Sequence, residues 1–421
     1  MKHGIYSDYS LIDIPIYFLS SIQLLEIFMV KLLNMNDDDD DPTEKPSSSA
    51  QIVASIDDLL IQIIHCLRLK PVVQFRLVSK YWNSLILNPK LCLSCNRPAV
   101  GLIFDGLYKG PGISKTSYIF FLDKSTCSPF RMLHPFTDPW YRDCKILQSC
   151  NGLLLCVKKR ACPKYYVCNP TTRKYIELPE VVFDHSRQSI HGMYLAFDPS
   201  KSPHYYKVVC VLRCLRGWLI SFEVYSSETG SWRKGGQIFK EITHFDFEDG
   251  VYWNGAIHWY PRCVYLNLDC DETETREFPR PQRKGYDKND YYFGESGDHL
   301  HFVDAYKTVS EFIVYEMRRD YSEWFVKYKV NIPEMKTDHY EWIIQYKDIV
   351  SDSSRRCAVV VRGKDDKDWF LVIAIGKRII WYNFGMKTCE TLYDFGSTVE
   401  GGSVYWGRKC PFQYIESLNS V

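Results

Sequence analysis

The sequence predicts a mainly β protein with a small α module in front: three short helices, then a β-propeller of about six degenerate blades. Three observations predict it. Aromatic residues make up 15% of the 421 residues, as 30 Tyr, 23 Phe and 11 Trp, and past position 100 they alternate with β-branched residues in a strand-like composition. One strand–turn–strand element recurs through that region. Helical periodicity dominates a single short stretch, residues 54–91.

Composition sets the outer limits. Hydrophobic residues are 46% of the chain, too many for a disordered protein, and 52 Lys+Arg against 51 Asp+Glu leave a formal charge of +1. That balance excludes the broad basic field behind unspecific nucleic-acid binding, so no nucleic-acid partner is expected. Sixteen cysteines are spread along a chain with no secretory signal pattern. This predicts reduced thiols and a location in the cytoplasm, the nucleus or both. Cys92/Cys95 and Cys210/Cys214 come nearest to a zinc pattern, but no second Cys or His pair follows at zinc-finger spacing, and no metal site is expected. Cys150, Cys156, Cys162 and Cys168 recur at even spacing, which would put any that share a strand on one face and suits core positions.

Residues 1–53 predict an extension and a linker, mostly flexible. The apolar stretch Leu11 to Met35 is broken by Asp13, Pro15, Gln23, Glu26 and Lys31. Its longest uncharged run, Ile14 to Leu25, falls well short of the ~20 residues that span a bilayer, so no membrane association is expected. The acidic run Asp37 to Asp41 and the Pro- and Ser-containing segment Pro42 to Ser49 cannot bury a core.

From residue 54 to 91 the period becomes helical. Ser55 suits an N-cap, with Asp57 and Asp58 at the positive end of the helix dipole. Leu59, Ile63 and Leu67 fall four apart, and Leu60 and Ile64 widen the stripe. Pro71 suits the first turn of a second helix bearing Val72, Phe75 and Val78. A third carries Trp82, Leu85 and Ile86 and stops at Asn88-Pro89. So few residues hold too little apolar area to fold alone. The pattern leaves two readings open, a cap on the rest of the chain or a module that docks another protein.

The region 100–415 reads as hairpins. Asn151-Gly152 and Asn254-Gly255 lie between apolar runs, and a two-residue turn of this kind requires positive φ at both positions. The recurring element is an apolar strand, a polar turn that usually contains Thr, and a strand opening near an aromatic. It appears at Ile119–Leu122 with Thr126, Tyr166–Pro170 with Thr172, and Phe222–Tyr225 with Thr229 and Trp232. It returns at Tyr265–Leu268 with Thr273, Ile313–Tyr315 with Trp324, and Ile380–Tyr382 with Thr388. A period of roughly 40–57 residues is that of a propeller blade, giving about six blades with five to seven tolerated. A large β-sandwich with irregular spacing is the alternative.

Two resemblances bear on function. Ile56-Asp57-Asp58-Leu59-Leu60-Ile61-Gln62-Ile63-Ile64, then Leu67, then Phe75-Arg76-Leu77-Val78-Ser79-Lys80-Tyr81-Trp82-Asn83-Ser84-Leu85-Ile86 resembles an F-box. The resemblance implies docking onto the Skp-type adaptor of a cullin–RING ubiquitin ligase, through Ile56, Leu59, Leu60, Ile63, Leu67, Val78 and Trp82. Phe75 and Leu85 are expected to hold the helices together. Ser55-Ile56 replaces the usual opening Leu-Pro, Leu67-Arg68 replaces the later one, and Pro71 stands where Ser is common. Losing the first apolar contact costs on the order of 1–3 kcal/mol, which weakens docking without abolishing it.

The motifs Ser149-Cys150-Asn151-Gly152-Leu153-Leu154, Cys168-Asn169-Pro170-Thr171-Thr172-Arg173 and Ala196-Phe197-Asp198-Pro199 resemble the kelch-like F-box-associated domain of plant F-box proteins. So do Tyr206-Lys207-Val208-Val209, Tyr225–Arg233 and Val251–Trp259. The pair of resemblances implies a substrate-recognition subunit of an SCF-type E3 ligase, with an adaptor and, through it, a cullin as partners and an unidentified target protein. Which propeller loops hold the target is not fixed by the sequence.

No nucleophile elbow, phosphate loop or HExxH motif is present, so no catalytic residue and no cofactor are assigned, and the chain is not expected to be an enzyme. His258 reads as a structural histidine. Asp246, Glu248 and Asp249 near His244 read as a solvated loop, and Lys158-Lys159-Arg160 and Arg355-Arg356 as solvated turns. Two alternatives remain: a propeller module working without the ligase, and a propeller enzyme with a polar central site.

Overall fold

The computed structural model describes residues 72, 80–87, 99–109, 116–121, 130–132, 144–158, 162–214, 219–239, 247, 249–269, 275–283, 291–305, 311–331, 357–363, 368–375, 378–394, 403–406, 411–419 and 421. The chain divides into two compact units, Met1–Leu91 and Cys92–Val421.

In the first unit, helix Lys80–Leu87 follows the expected third helix. Leu85 and Ile86 are buried while Lys80, Tyr81 and Ser84 are exposed, so one face is apolar as the spacing requires. Ser84 Oγ donates to Tyr81 O at 2.8 Å. Val72 is helical and fully buried.

The second unit is a propeller of six antiparallel sheets in chain order. Blade 2 shows the plan: Cys144–Cys150, Leu153–Lys158, Lys164–Asn169 and Lys174–Glu177 pair successively as a meander. Blade 3 spans Gln188–Ala196 to Ser231–Phe239, and blade 4 Asp249–Trp253 to Thr275–Glu277. Blade 5 spans Tyr291–Ser296 to Trp324–Asn331, and blade 6 Cys357–Arg362 to Thr388–Asp394. The first strands of blades 2 to 6 neighbour one another in turn and so line the axis.

Blade 1 closes the ring. Gly101–Lys109, Thr116–Phe121 and Phe130–Met132 supply its outer three strands. Its innermost strand comes from the far end of the chain, where Ser403–Trp406 and Phe412–Tyr414 both pair with Gly101–Lys109.

Burial follows from this plan. The first strand of blade 2 alternates between half-buried and buried residues, and the second is buried at every position. The fourth is exposed at every position. A middle strand packed on both faces reads in sequence as an unbroken apolar run, here Leu153-Leu154-Leu155-Cys156-Val157. Six apolar clusters fill the six junctions, from Ile103, Ile146 and Tyr414 between blades 1 and 2 round to Leu102, Phe104, Val359 and Val361 between blades 6 and 1.

The six copies of the recurring element fall on the third strands of six different sheets. The Asn-Gly turns take the required conformation, with φ of 46° and 90° at Asn151 and Gly152, and 49° and 77° at Asn254 and Gly255.

Of the evenly spaced cysteines, three are core residues as expected and Cys162 is not. Cys150, Cys156 and Cys168 are buried on successive strands, and Cys162 is exposed in a turn. Asp249 also differs from its expected solvated loop, since it opens the first strand of blade 4 and accepts a hydrogen bond from Tyr291 Oη at 2.9 Å. Lys158 is buried at the end of a strand rather than solvated in a turn. His244, Asp246, Glu248, Lys159, Arg160, Arg355, Arg356, Cys92 and Cys95 lie outside the described residues.

Candidate interaction sites

The side chains expected to dock an adaptor lie in the first unit. Ile56, Leu59, Leu60, Ile63, Leu67 and Val78 lie outside the described residues, as does Phe75. Trp82 lies in helix Lys80–Leu87, but its side chain is likewise outside them. Leu85, expected to hold the helices together, is only 4% exposed.

The two ends of the propeller differ. At one end lie the turns joining first to second and third to fourth strands, and these are bonded across blade junctions. Asn254 Nδ2 donates to Arg319 O at 3.3 Å and Trp253 Nε1 to Asp298 O at 3.0 Å, tying blade 4 to blade 5. Lys207 Nζ donates to Leu268 O at 2.6 Å and Lys201 pairs with Asp269, tying blade 3 to blade 4. Tyr321, at φ 61°, reaches from blade 5 into blade 4. There it stacks on Tyr265 at 4.6 Å and 4°, and its hydroxyl meets His258 Nε2 at 2.9 Å.

His258 is therefore a structural residue. It is fully buried, and desolvation drops its pKa to about 3, so the ring stays neutral.

A network crosses the axis at this end. Gln413, on the ring-closing strand of blade 1, donates from Nε2 to Glu295 O at 2.6 Å and accepts from Ser296 Oγ at 3.1 Å, both on blade 5. Ser149 Oγ of blade 2 donates to Gln413 O at 2.6 Å, and Arg362 N of blade 6 donates to Ser296 Oγ at 3.0 Å. Four blades thus meet through one carboxamide and two hydroxyls. Among the described residues no group of three or more His, Cys, Asp or Glu is placed to hold a metal ion.

Glu295 accepts from Asp298 N at 2.7 Å, and burial pushes its pKa up to about 7 against the opposing pull of His299 and Arg362. The folded state therefore holds a proton on Glu295 that the unfolded chain releases near its ordinary pKa. Stability from this group is fully present below about pH 4.5 and lost as pH rises through about 7. Glu295→Gln keeps the acceptor and removes the titration. It should raise Tm by about 2–4 °C at pH 8 and change it little at pH 5, read by scanning calorimetry at both. An equal change at both pH values would show that Glu295 is not ionised at cost.

A second polar cluster lies in the junction of blades 5 and 6. Glu316 takes His299 Nδ1 at 2.9 Å, His301 Nε2 at 3.3 Å and Lys327 Nζ at 2.5 Å, and the ammonium stands 3.6 Å from the Trp369 ring centroid. Burial alone would raise the Glu316 pKa, but the three partners outweigh it and hold the carboxylate ionised. Burial drops His301 to about 4. The buried imidazoles of His258 and His301 act opposite to Glu295: the unfolded chain binds their protons first, so they lower stability as pH falls below about 6.5.

The other end carries the second-to-third-strand turns and the connections between blades. Its one fully described inter-blade connection, 178–187, exposes Val182 at 89%. A device absent from the sequence reading recurs here. Trp232 Nε1 donates to Pro179 O at 2.9 Å, and Trp324 Nε1 to Pro279 O at 2.8 Å. Each indole opens an outer strand and fastens the exit of the preceding blade. The sequence signal is Glu177-Leu178-Pro179 and Glu277-Phe278-Pro279, each followed by a Trp in the next outer strand.

Comparison with known proteins settles the family. Residues 57–94 match the F-box domain and residues 114–265 the F-box associated beta propeller domain. The F-box protein At5g07610 of Arabidopsis thaliana is 33% identical over 415 residues, covering 89% of this chain and 94% of that protein. The chain belongs to the plant F-box proteins with an F-box-associated propeller. A second Arabidopsis thaliana relative of this F-box protein, At5g49610, is 28% identical over 53% of the chain and 64% of its own length. A solved oligogalacturonate lyase of Vibrio parahaemolyticus aligns at 10% identity and a TM-score of 0.34, over 71% of this chain and 87% of that one. That likeness carries no argument about chemistry. Among the described residues, no helix is long and apolar enough to cross a membrane.

Proposed function

We propose that this chain is the substrate-recognition subunit of an SCF-type E3 ubiquitin ligase. The F-box docks a Skp-type adaptor, and through it a cullin, while the propeller holds a target protein. The observation that carries the reading is the order of the two domains in one chain, an F-box at 57–94 followed by the associated propeller. The mechanism is proximity. The subunit raises the local concentration of its target near the transferred ubiquitin and performs no bond chemistry itself. Such work belongs in the cytoplasm or nucleus.

The target face is the end that carries the inter-blade connections. The opposite end spends its turn side chains on its own junctions, through Asn254, Trp253, Lys201 and Tyr321. The connection end leaves Val182 in solvent, and loops on a rigid scaffold are where recognition residues concentrate.

Affinity purification with mass spectrometry, comparing the intact chain with one lacking residues 54–91, tests the reading. Adaptor and cullin peptides should accompany the intact chain alone, while target proteins accompany both. Recovery of targets but no adaptor from the intact chain would favour a propeller module working without the ligase.

A further inference from the structure

We propose that two turns of blade 2, Asn151-Gly152 and Asn169-Pro170-Thr171-Thr172, form a peptide socket. Its ligand is the chain's own tail, residues 415–421, and seating the tail latches the ring-closing strand.

The socket is built around one buried side chain. Asn169 is 0% exposed. Its Oδ1 accepts from Thr171 N at 2.9 Å and Thr172 N at 3.2 Å, which shapes the turn. Its Nδ2 donates to Ser417 O at 3.0 Å and Asn419 O at 2.8 Å. A carboxamide has two N–H groups, and both go to the tail. Thr171 Oγ1 accepts from Ser417 N at 3.2 Å and lies 3.3 Å from Tyr414 Oη, the last residue of the closing strand. Gly152 supplies the floor: a Cβ there would overlap that of Ser417, and its φ of 90° already disfavours other residues. The tail holds its own bend through Asn419 N to Ser417 Oγ at 3.1 Å, and Val421 packs on the apolar cluster between blades 2 and 3.

The closing strand needs such an anchor. Phe412–Tyr414 pairs with Gly101 to Ile103, about three hundred positions away, and Ser403–Trp406 adds only the pairs with Gly106 to Lys109, so the loop-closure entropy is set against two short ladders. A tail fastened to blade 2 holds the strand from the other side, and its tether raises its effective concentration at the socket. The propeller unit therefore extends past 415, through the tail.

Asn169→Asp is the discriminating variant. It keeps the acceptor for Thr171 and Thr172 but turns an oxygen toward the carbonyls of Ser417 and Asn419. In the full chain, amide exchange at residues 415–419 should accelerate at least about tenfold, with a lower Tm. In a chain ending at Tyr414 the same substitution should leave Tm unchanged. A synthetic peptide of residues 415–421 should bind that shortened chain saturably, in the range of about 10 μM to 1 mM, and raise its Tm. It should not bind the shortened Asn169→Asp form. An equal loss of Tm in both chain lengths would overturn the proposal. So would absent peptide binding by a shortened chain that keeps its β circular dichroism. Should the shortened chain not fold, exchange in full-length Asn169→Asp decides: unchanged protection of the tail rejects the latch.

Discussion

Replacing Leu59 and Leu60 together by Asp is expected to abolish capture of the Skp-type adaptor while leaving the thermal transition of the propeller unchanged. The two leucines continue the sequence stripe of Ile63 and Leu67, which the proposed function places against the adaptor because so short a segment holds too little apolar area to cover it alone. Two carboxylates brought into an apolar interface lose their hydration. Each costs several kcal/mol, so the pair should weaken binding by more than about a thousandfold. The propeller is a separate compact unit, Cys92–Val421, and serves as the internal control. Adaptor capture retained within about threefold would place docking on some other surface.

The largest effect on stability is expected at Trp259. Its side chain is fully buried in the junction of blades 3 and 4. Tyr194, Phe222 and Phe247 surround it at ring-centroid distances of 5.5, 5.7 and 5.3 Å. Trp259→Ala leaves a cavity that rigid neighbouring sheets cannot close. It should cost about 3–5 kcal/mol, or roughly 10 °C in Tm. The indole Nε1 has no hydrogen-bond partner among the described residues. Trp259→Phe therefore removes an unsatisfied donor together with some volume, and should cost less than about 2 kcal/mol. Calorimetry on both variants separates the two contributions. Equal losses would mean that the indole finds a partner, such as water.

Legibility in the sequence tracked the range of the interactions. The third-to-fourth-strand hairpins are local, so their composition alone located one in each blade, even where the Thr was missing near Ile313. The Asn-Gly turns were legible because positive φ at two consecutive positions constrains residue type. The ring-closing pairing of Phe412–Tyr414 with Gly101 to Ile103 was not legible, since each strand carries no mark of a partner so distant in sequence. Gln413 looked like any polar residue near a chain end, yet it joins blades 1, 2 and 5 across the axis. Even spacing of the cysteines points to the core for Cys150, Cys156 and Cys168 but not for Cys162, because the chain turns there. Asn169 and Gly152 lie in family motifs, but only the folded chain brings the tail to them. For the proposed adaptor site, the F-box pattern names the residues, and the helical stripe supplies the physical reason for them.

On the proposed function, residues 54–91 complete themselves on a foreign subunit. Calorimetric titration of purified Skp-type adaptor into the purified full chain tests it most directly. One-to-one saturable binding tighter than about 10 μM is expected, lost in the Leu59→Asp, Leu60→Asp chain. No binding up to about 100 μM, by a chain whose propeller melts cooperatively, would contradict it.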